Sequence, residues 1–292
     1  MSDKSAYAPH ELLVAPARRY PELWRLLAGL ALVMVLTVAM GILLRLVFGD
    51  GAEAPAAPAG TTPGALLALL YSFALMGVAV FLTARLLQDR APLSLFGPPR
   101  LALAQFWTVT KYLVLLNAVL LALPPYDLGR DLTPNLALST WLTLLPLSLG
   151  AVLVQTGCEE LLFRGYIQQS LAARFKSPLV WMLLPSILFG LAHYQPETAG
   201  DNAWLIVLWA AVFGLINADL TARSGTLGPA IALHMTTNAV AVLLISVHDQ
   251  MSGLSLATIP VATDSAELRN WLAIDFAFML VGWLAARLAI RR

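Results

Sequence analysis

Charged residues and cysteine are what this sequence has least of. Only 12% of its 292 residues are charged and 59% are hydrophobic, whereas a soluble domain carries about 25% charged residues. A soluble core cannot absorb that much apolar surface. The single cysteine, Cys158, excludes an intrachain disulfide and any multi-cysteine zinc or iron–sulfur site. The net charge of +1 excludes a strongly basic nucleic-acid-binding protein, so no nucleic-acid partner is expected.

Two membrane architectures are also disfavoured, because the sequence lacks both an internal repeat and the alternating pattern of an outer-membrane barrel. It has instead apolar runs near the length of about 20 residues that a helix needs to cross a bilayer. Lipid-exposed backbone must satisfy its own hydrogen bonds, so these runs predict helices. We therefore predict an all-α polytopic membrane bundle of about eight transmembrane helices, near residues 26–48, 65–87, 101–123, 138–171, 179–193, 203–219, 227–247 and 270–287.

The basic residues indicate how the bundle is oriented, since positively charged loops stay in the cytoplasm. With the N-terminus inside, all of the 18 Lys and Arg residues except Arg45, Arg130 and Arg269 fall on the cytoplasmic side. This predicts cytoplasmic N- and C-termini in the bacterial inner (cell) membrane. Residues 1–22 are expected to be a polar cytoplasmic tail and residues 23–292 a single transmembrane domain.

The first apolar run is interpreted as a retained anchor. It exceeds the roughly 7 to 15 apolar residues of a signal peptide, although Ala52-Glu53-Ala54 resembles a small-residue cleavage site.

Ionisable residues at bilayer depth are functional candidates, because each costs several kcal/mol unless it is paired or faces water. Glu160 and Arg164 are four residues apart on one helix face and are expected to pair. Glu159, about 100° around the helix, then lacks a partner of its own and is suited to act as a general base. For Glu160 and Arg164 the alternative is a purely structural ion pair.

A second pair with the same spacing, Asp219 and Arg223, lies at the end of the sixth span. We interpret it as a solvated ion pair.

The fourth and fifth spans form a hairpin that predicts the depth of two candidates. Glu159 and His193 lie the same number of residues before and after Lys176 in the basic turn, so antiparallel helices place both about 25 Å from its tip. On the seventh span His234 and Asn238 share one face. A carboxylate, two imidazoles and a carboxamide can therefore converge in one cavity and supply a base and oxyanion donors.

Each of these residues also has a simpler interpretation. His193 can be a helix-capping histidine before the outer loop. His234 and Asn238 can serve only as interhelical hydrogen-bonding residues, and Cys158 is expected to be a packing residue.

Three short motifs occur in order along this part of the chain: Glu159-Glu160-x-x-x-Arg164, Phe189-x-x-x-His193 and His234-x-x-x-Asn238. In these motifs the sequence resembles the CAAX-protease and bacteriocin-processing (CPBP, or Abi) family of intramembrane endopeptidases, which includes the Ras-converting prenyl-protein endopeptidases. The resemblance covers a protease-like core of about residues 138–247.

The resemblance implies hydrolysis of a peptide bond in a membrane-associated or lipidated polypeptide, near its C-terminus. It implies that Glu159 and His193 activate a water, that His234 and Asn238 stabilise the oxyanion, and that Glu160 and Arg164 support them. The family is often labelled metalloprotease. No cofactor is favoured here, because the sequence does not contain HExxH. Zinc held by Glu159, His193 and His234 is the alternative.

Functions outside the hydrolases also fit the sequence. One is a non-catalytic membrane scaffold or bacteriocin self-immunity protein of the same fold, against which the intact polar set argues. A less favoured one is a proton-coupled transporter with a Glu, His and Arg relay, against which the missing repeats count.

Overall fold

The computed structural model of the chain describes residues 6–48, 60–122, 132–248 and 250–291. Within these residues, six helices are long and apolar enough to cross a membrane: Leu23–Leu43, Pro63–Gln88, Pro99–Ala122, Leu138–Arg174, Pro196–Ser224 and Leu268–Ala289. Two shorter apolar helices, Leu179–Leu191 and Gly228–Leu244, complete the predicted series. The all-α polytopic bundle is thus confirmed, including the overlong fourth segment and the short fifth. The Ala52-Glu53-Ala54 site lies outside the described residues.

The helices are numbered in chain order over the described residues. They are α1 (Glu11–Val14), α2 (Leu23–Phe48), α3 (Pro63–Gln88), α4 (Pro99–Ala122), α5 (Leu138–Glu160), α6 (Gln168–Arg174), α7 (Leu184–Leu191), α8 (Pro196–Ala199), α9 (Ala203–Ser224), α10 (Gly228–Ala239) and α11 (Leu268–Ala289). Short 3₁₀ turns occur at Ala8–His10, Ala15–Arg19, Pro92–Phe96 and Gly200–Asn202.

Three π-helical segments interrupt the bundle. Leu161–Ile167 joins α5 to α6, Leu179–Leu183 leads into α7, and Val240–Leu244 follows α10. A π-turn contains an extra residue and changes which side chains share a face, and such turns are frequent at functional sites. All three lie in the segments that carry the predicted motifs.

Local sequence signals define several helix ends. Thr62 caps α3 through its side-chain oxygen, which accepts from the amide of Ala65, and Pro63 occupies the first turn. At the end of α9, Gly225 has a φ of 72°, and a Cβ there would lie 2.4 Å from the carbonyl oxygen of Pro9. Only glycine allows this conformation and this close approach, so α9 can end directly against the N-terminal segment.

A small sheet was not predicted. Strands β1 (Thr133–Pro134), β2 (Ile245–Val247) and β3 (Ala257–Ile259) are arranged in the order β1-β3-β2, with β1 antiparallel and β2 parallel to β3. The seventh span was predicted to stay helical to residue 247, but the helix ends at Leu244. The β-branched residues Ile245 and Val247 pair with β3 instead.

We call the end of the bundle that carries strands β1, β2 and β3 the sheet end, and the opposite end the basic end. The basic end includes residues 6–20, the loop at 89–98, the turn at 175–178 and the loop at 225–227. Residues 6–20, expected as a polar tail, fold onto this end as three short helical turns. Leu13, Val14 and Ala17 are buried, and the ring of His10 packs 4.7 Å from that of Trp181.

The Asp219–Arg223 pair at the basic end is not solvated, which corrects the sequence interpretation. Its Nε–Oδ1 distance is 2.7 Å. Asp219 also accepts hydrogen bonds from the hydroxyl of Tyr7 at 2.9 Å and from the indole of Trp283 at 3.0 Å. The N-terminal segment and α11 shield the pair from water, and nothing in the local sequence of α9 signals that cover.

The helices differ in what surrounds them. Helix α2 exposes large apolar side chains such as Leu27, Met34 and Leu46, as expected of a lipid-facing helix. Helix α10 lies at the centre, in contact with α4, α5, α9 and α11, while α7 packs on α9. The chain is therefore an integral membrane protein with its motif-bearing helices inside.

Candidate active site

Polar residues line the contact between the antiparallel helices α5 and α10. His234 lies opposite Glu159, with 3.4 Å between Nε2 and Oε2. One turn away, Nδ2 of Asn238 donates to Oε1 of Gln155 at 2.9 Å. The next turn towards the sheet end is apolar. Four-residue steps along both helices thus produce two polar layers inside a hydrophobic contact.

Glu160 is the most deeply buried member of this group, with no exposed surface. Its Oε1 lies 2.8 Å from Nδ1 of His234 and 3.1 Å from Nη1 of Arg164. The predicted Glu160–Arg164 contact is therefore present. Arg164 also donates through Nη2 to the carbonyl of Gly214 at 3.0 Å. A Cβ on Gly214 would lie 3.2 Å from that nitrogen and 3.1 Å from Cα of Ser186. A glycine at this position therefore leaves room for the Arg164 guanidinium and for the close approach of α7.

Two carboxylates in this group share one guanidinium and one imidazole. Nδ1 of His234 donates to Glu160, because a carboxylate oxygen can only accept. Glu159 Oε2 is buried and has no hydrogen-bond partner among the residues that the structure describes. Leaving such an oxygen without a donor costs about 1–3 kcal/mol or more, so a donor supplied by water or by a bound substrate would stabilise it.

His193 lies just beyond the end of α7 and does not join this group by a hydrogen bond within the described residues. Its Nδ1 is 2.8 Å from the carbonyl oxygen of Phe189. A carbonyl only accepts, so Nδ1 carries a proton, and in the neutral imidazole Nε2 is then the acceptor. The ring of Phe189 packs 4.7 Å from His193 and 5.9 Å from His234, and so lies against both imidazoles.

The predicted hairpin register is confirmed by an aromatic contact. The rings of Phe163 and Phe189 are 5.0 Å apart, and these residues lie the same number of positions before and after Lys176. Glu159 lies four positions before Phe163 and His193 lies four positions after Phe189, so both are farther from the turn of this helical hairpin. The contact supports the predicted register at Phe163 and Phe189, and the common level of Glu159 and His193 stays a prediction.

Aromatic rings enclose His234 on the side away from the carboxylates. Phe213 packs 5.0 Å from its ring, and Trp209 stacks on Phe213 at 5.5 Å. The guanidinium of Arg164 lies 4.7 Å from the centroid of Phe189. These rings exclude water from His234 and strengthen its electrostatic contacts with the two glutamates.

Sequence reasoning missed three of the surrounding residues. Gln155 is four positions before Glu159 on the same helix face, a spacing that signals its place. Phe213 and the carbonyl of Gly214 carry no such signal, because an apolar ring and a backbone oxygen on α9 acquire their roles only from the packing of α7 and α9.

The zinc alternative needs three ligands in one place, and this arrangement does not provide them. In the described part of the chain, no three His, Cys, Asp or Glu side chains are grouped so that they can hold a metal ion. Glu159 and His234 adjoin each other, but His193 does not complete the set. The proposed zinc ligands therefore do not fit as they stand.

Comparison with known proteins supports the motif assignment. Residues 140–240 match the family model of the Rce1-like type II CAAX prenyl endopeptidases. An uncharacterized protein of Bacillus subtilis (strain 168), YyaK, is 27% identical over 143 residues. That match covers 48% of this chain and 48% of YyaK, so it spans about half the length of the relative. No solved structure matches the chain. Over residues 140–240 the chain is therefore similar to the Rce1-like type II CAAX prenyl endopeptidases.

Proposed function

We propose that this protein is an intramembrane endopeptidase that hydrolyses a peptide bond near the C-terminus of a membrane-associated or lipidated polypeptide. The observation that carries the proposal is the state of Glu159. Its carboxylate lies beside His234 with an unsatisfied oxygen, while the neighbouring Glu160 is committed to Arg164 and His234. One glutamate of the pair is structural, and the other is free to take a proton.

In the proposed reaction Glu159 and the Nε2 lone pair of His193 hold a water between them. Glu159 takes a proton from this water, and the hydroxide oxygen adds to the carbonyl carbon of the scissile bond. The carbonyl oxygen becomes an oxyanion, to which Asn238 donates a hydrogen bond. The protonated Glu159 then gives its proton to the leaving nitrogen, the C–N bond breaks, and a carboxylic acid and an amine are released, which ionise to a carboxylate and an ammonium as the acid's proton passes to the amine.

His234 has two tasks in this scheme. Held by Glu160 through Nδ1, it keeps its Nε2 directed towards Glu159, and in the protonated form it stabilises the carboxylate or an oxyanion bound beside it. Arg164 fixes Glu160 and thereby His234. Glu160 and Arg164 are accordingly supporting groups and not the ones that touch the substrate.

We also propose that the basic end faces the cytoplasm of a bacterial cell with both termini inside. Arg90, Arg174, Lys176 and Arg223 all lie towards this end, which is what the positive-inside rule requires of a cytoplasmic face.

The proposal is tested by cleavage of lipidated and unmodified C-terminal peptides in proteoliposomes. Glu159→Gln keeps size and shape but cannot take the proton, so turnover should fall by about 10²-fold to 10⁴-fold. Glu197→Gln is the matched control, because it makes the same change at an exposed glutamate and should leave turnover unchanged. A zinc enzyme would instead lose turnover on chelation and regain it with metal.

Two results would contradict the proposal. One is wild-type turnover by folded Glu159→Gln on a verified substrate. The other is the absence of cleavage by wild type in a membrane where the protein keeps its biological activity, as expected of a scaffold or immunity protein.

A further inference from the structure

Gln155 has not been assigned a role, and it contacts one of the proposed catalytic side chains. It is 7% exposed and lies one helical turn before Glu159. Its Oε1 accepts the hydrogen bond from Nδ2 of Asn238 at 2.9 Å. The two polar layers of the α5–α10 contact thus each join a motif residue of α10 to a residue of α5.

Asn238 needs such a partner if it is to stabilise an oxyanion. The terminal torsion of asparagine is broad and weakly restricted, so the carboxamide alone has no fixed orientation. An oxyanion donor is effective because it is oriented before the reaction and needs no rearrangement. A carboxamide is planar, so when one N–H is bonded to Gln155 the direction of the second N–H is determined as well.

We propose that Gln155 is a positioning residue that orients the Asn238 carboxamide, so that its second N–H faces the reacting carbonyl group. This inference rests on the proposed function. Gln155 acts through Asn238 and does not itself touch the reacting atoms. Its effect therefore belongs to the transition state and should be found in kcat, with little change in KM.

The competing explanation is that the two carboxamides only hold α5 and α10 together, as polar side chains in membrane helices often do. The chain offers a matched control for that role. Gln88 is also a buried glutamine, and its Nε2 donates to the hydroxyl of Ser170 at 2.9 Å. The Gln88–Ser170 pair lies towards the basic end, away from Glu159. Substituting Gln88 therefore removes a side-chain hydrogen bond between two helices without touching the candidate active site.

The test measures kcat and KM in proteoliposomes for wild type, Gln155→Met, Asn238→Ala and the double variant, with Gln88→Met as the control. Methionine keeps the length of the side chain but cannot accept the hydrogen bond. Loss of the orientation should lower kcat by about 10-fold to 10²-fold, below the roughly 10²-fold to 10³-fold cost of losing the donor itself. In the Asn238→Ala background, Gln155→Met should change kcat by less than about 2-fold, because contacting residues acting as a unit are not additive.

Gln155→Asn is a second variant in case methionine prevents folding. It keeps the amide but is one methylene shorter, so it should lose kcat in the same way. Gln88→Met should keep the wild-type kcat even if it lowers the unfolding temperature.

The inference is overturned if both Gln155 variants, when folded, keep the wild-type kcat, or if the two single effects multiply in the double variant. Glu159-dependent cleavage that keeps its wild-type kcat in both folded Gln155 variants refutes this inference alone. If wild type shows no Glu159-dependent cleavage, the proposed function fails and the role of Gln155 fails with it.

Discussion

Two ion pairs of this molecule, Glu160–Arg164 and Asp219–Arg223, have the same i,i+4 spacing and the same order of acid and base. Their surroundings differ. The side chains of Glu160 and Arg164 are 0% and 1% exposed, whereas those of Asp219 and Arg223 are 9% and 16% exposed. Helical spacing brings both pairs into contact, but it does not determine which one becomes part of a chemical site.

The two pairs differ in the other groups that their side chains contact. Glu160 reaches across to His234 on α10, and Arg164 reaches the carbonyl of Gly214 on α9. Asp219 instead accepts hydrogen bonds from Tyr7 and Trp283, and so ties the N-terminal segment and α11 to the basic end. The first pair organises the candidate active site, and the second organises the fold at one end of the bundle.

The largest difference should appear when each pair loses its arginine. Arg164→Met leaves the buried Glu160 without its cation and should lower the free energy of unfolding by about 3–5 kcal/mol. Arg223→Met should cost about 1 kcal/mol, since this pair is nearer to solvent and Asp219 keeps two other donors. Thermal unfolding in detergent measures both. Equal shifts would mean that the two environments do not differ as described.

Acid should loosen the basic end and leave the membrane core intact. Burial against Trp181 and Gln168 lowers the pKa of His10 from 6.5 to about 4. When residues 6–20 are released, the imidazole of His10 binds a proton that it does not bind when the segment is docked. The docked state therefore becomes less stable as the pH falls from 6.5 to 4, by up to about 3 kcal/mol. Glu11 opposes this shift and Arg18 adds to it.

Limited proteolysis of residues 6–20 across that pH range measures the release, and His10→Asn should make it independent of pH. Cleavage that does not rise on acidification would show that the charge of His10 does not control docking.

A smaller effect than that of Arg164→Met is expected from Asp219→Asn, which keeps the shape of the side chain but removes its charge. The bonds from Tyr7, Trp283 and Arg223 become neutral or are lost, at a cost of about 1–2 kcal/mol. Proteolysis of residues 6–20 should increase, while cleavage of substrate by Glu159 should stay unchanged. A loss of turnover in the folded Asp219→Asn variant would instead show that the Asp219–Arg223 pair affects the candidate active site.

The sequence predicted those parts of the site that depend on regular helix geometry. The Glu160–Arg164 contact follows from the four-residue spacing, and the Phe163–Phe189 contact follows from counting along a hairpin. The convergence of Glu159 and His234 was also expected, although their ion-pair contact was not. The partner of Asn238 was not, because pairing across two helices depends on their relative rotation and translation, which the sequence of one helix does not specify.

Composition and periodicity alone determined that this chain spans a membrane as helices, because apolar length and backbone hydrogen bonding leave no other solution in lipid. They also determined which ionisable residues lie at depth. Only the tertiary structure decided that Glu160 also contacts His234, that Gln155 holds Asn238, and that residues 6–20 dock on the basic end. The physical reason is that these contacts join segments far apart in the chain, and their energies depend on packing that only the folded bundle provides.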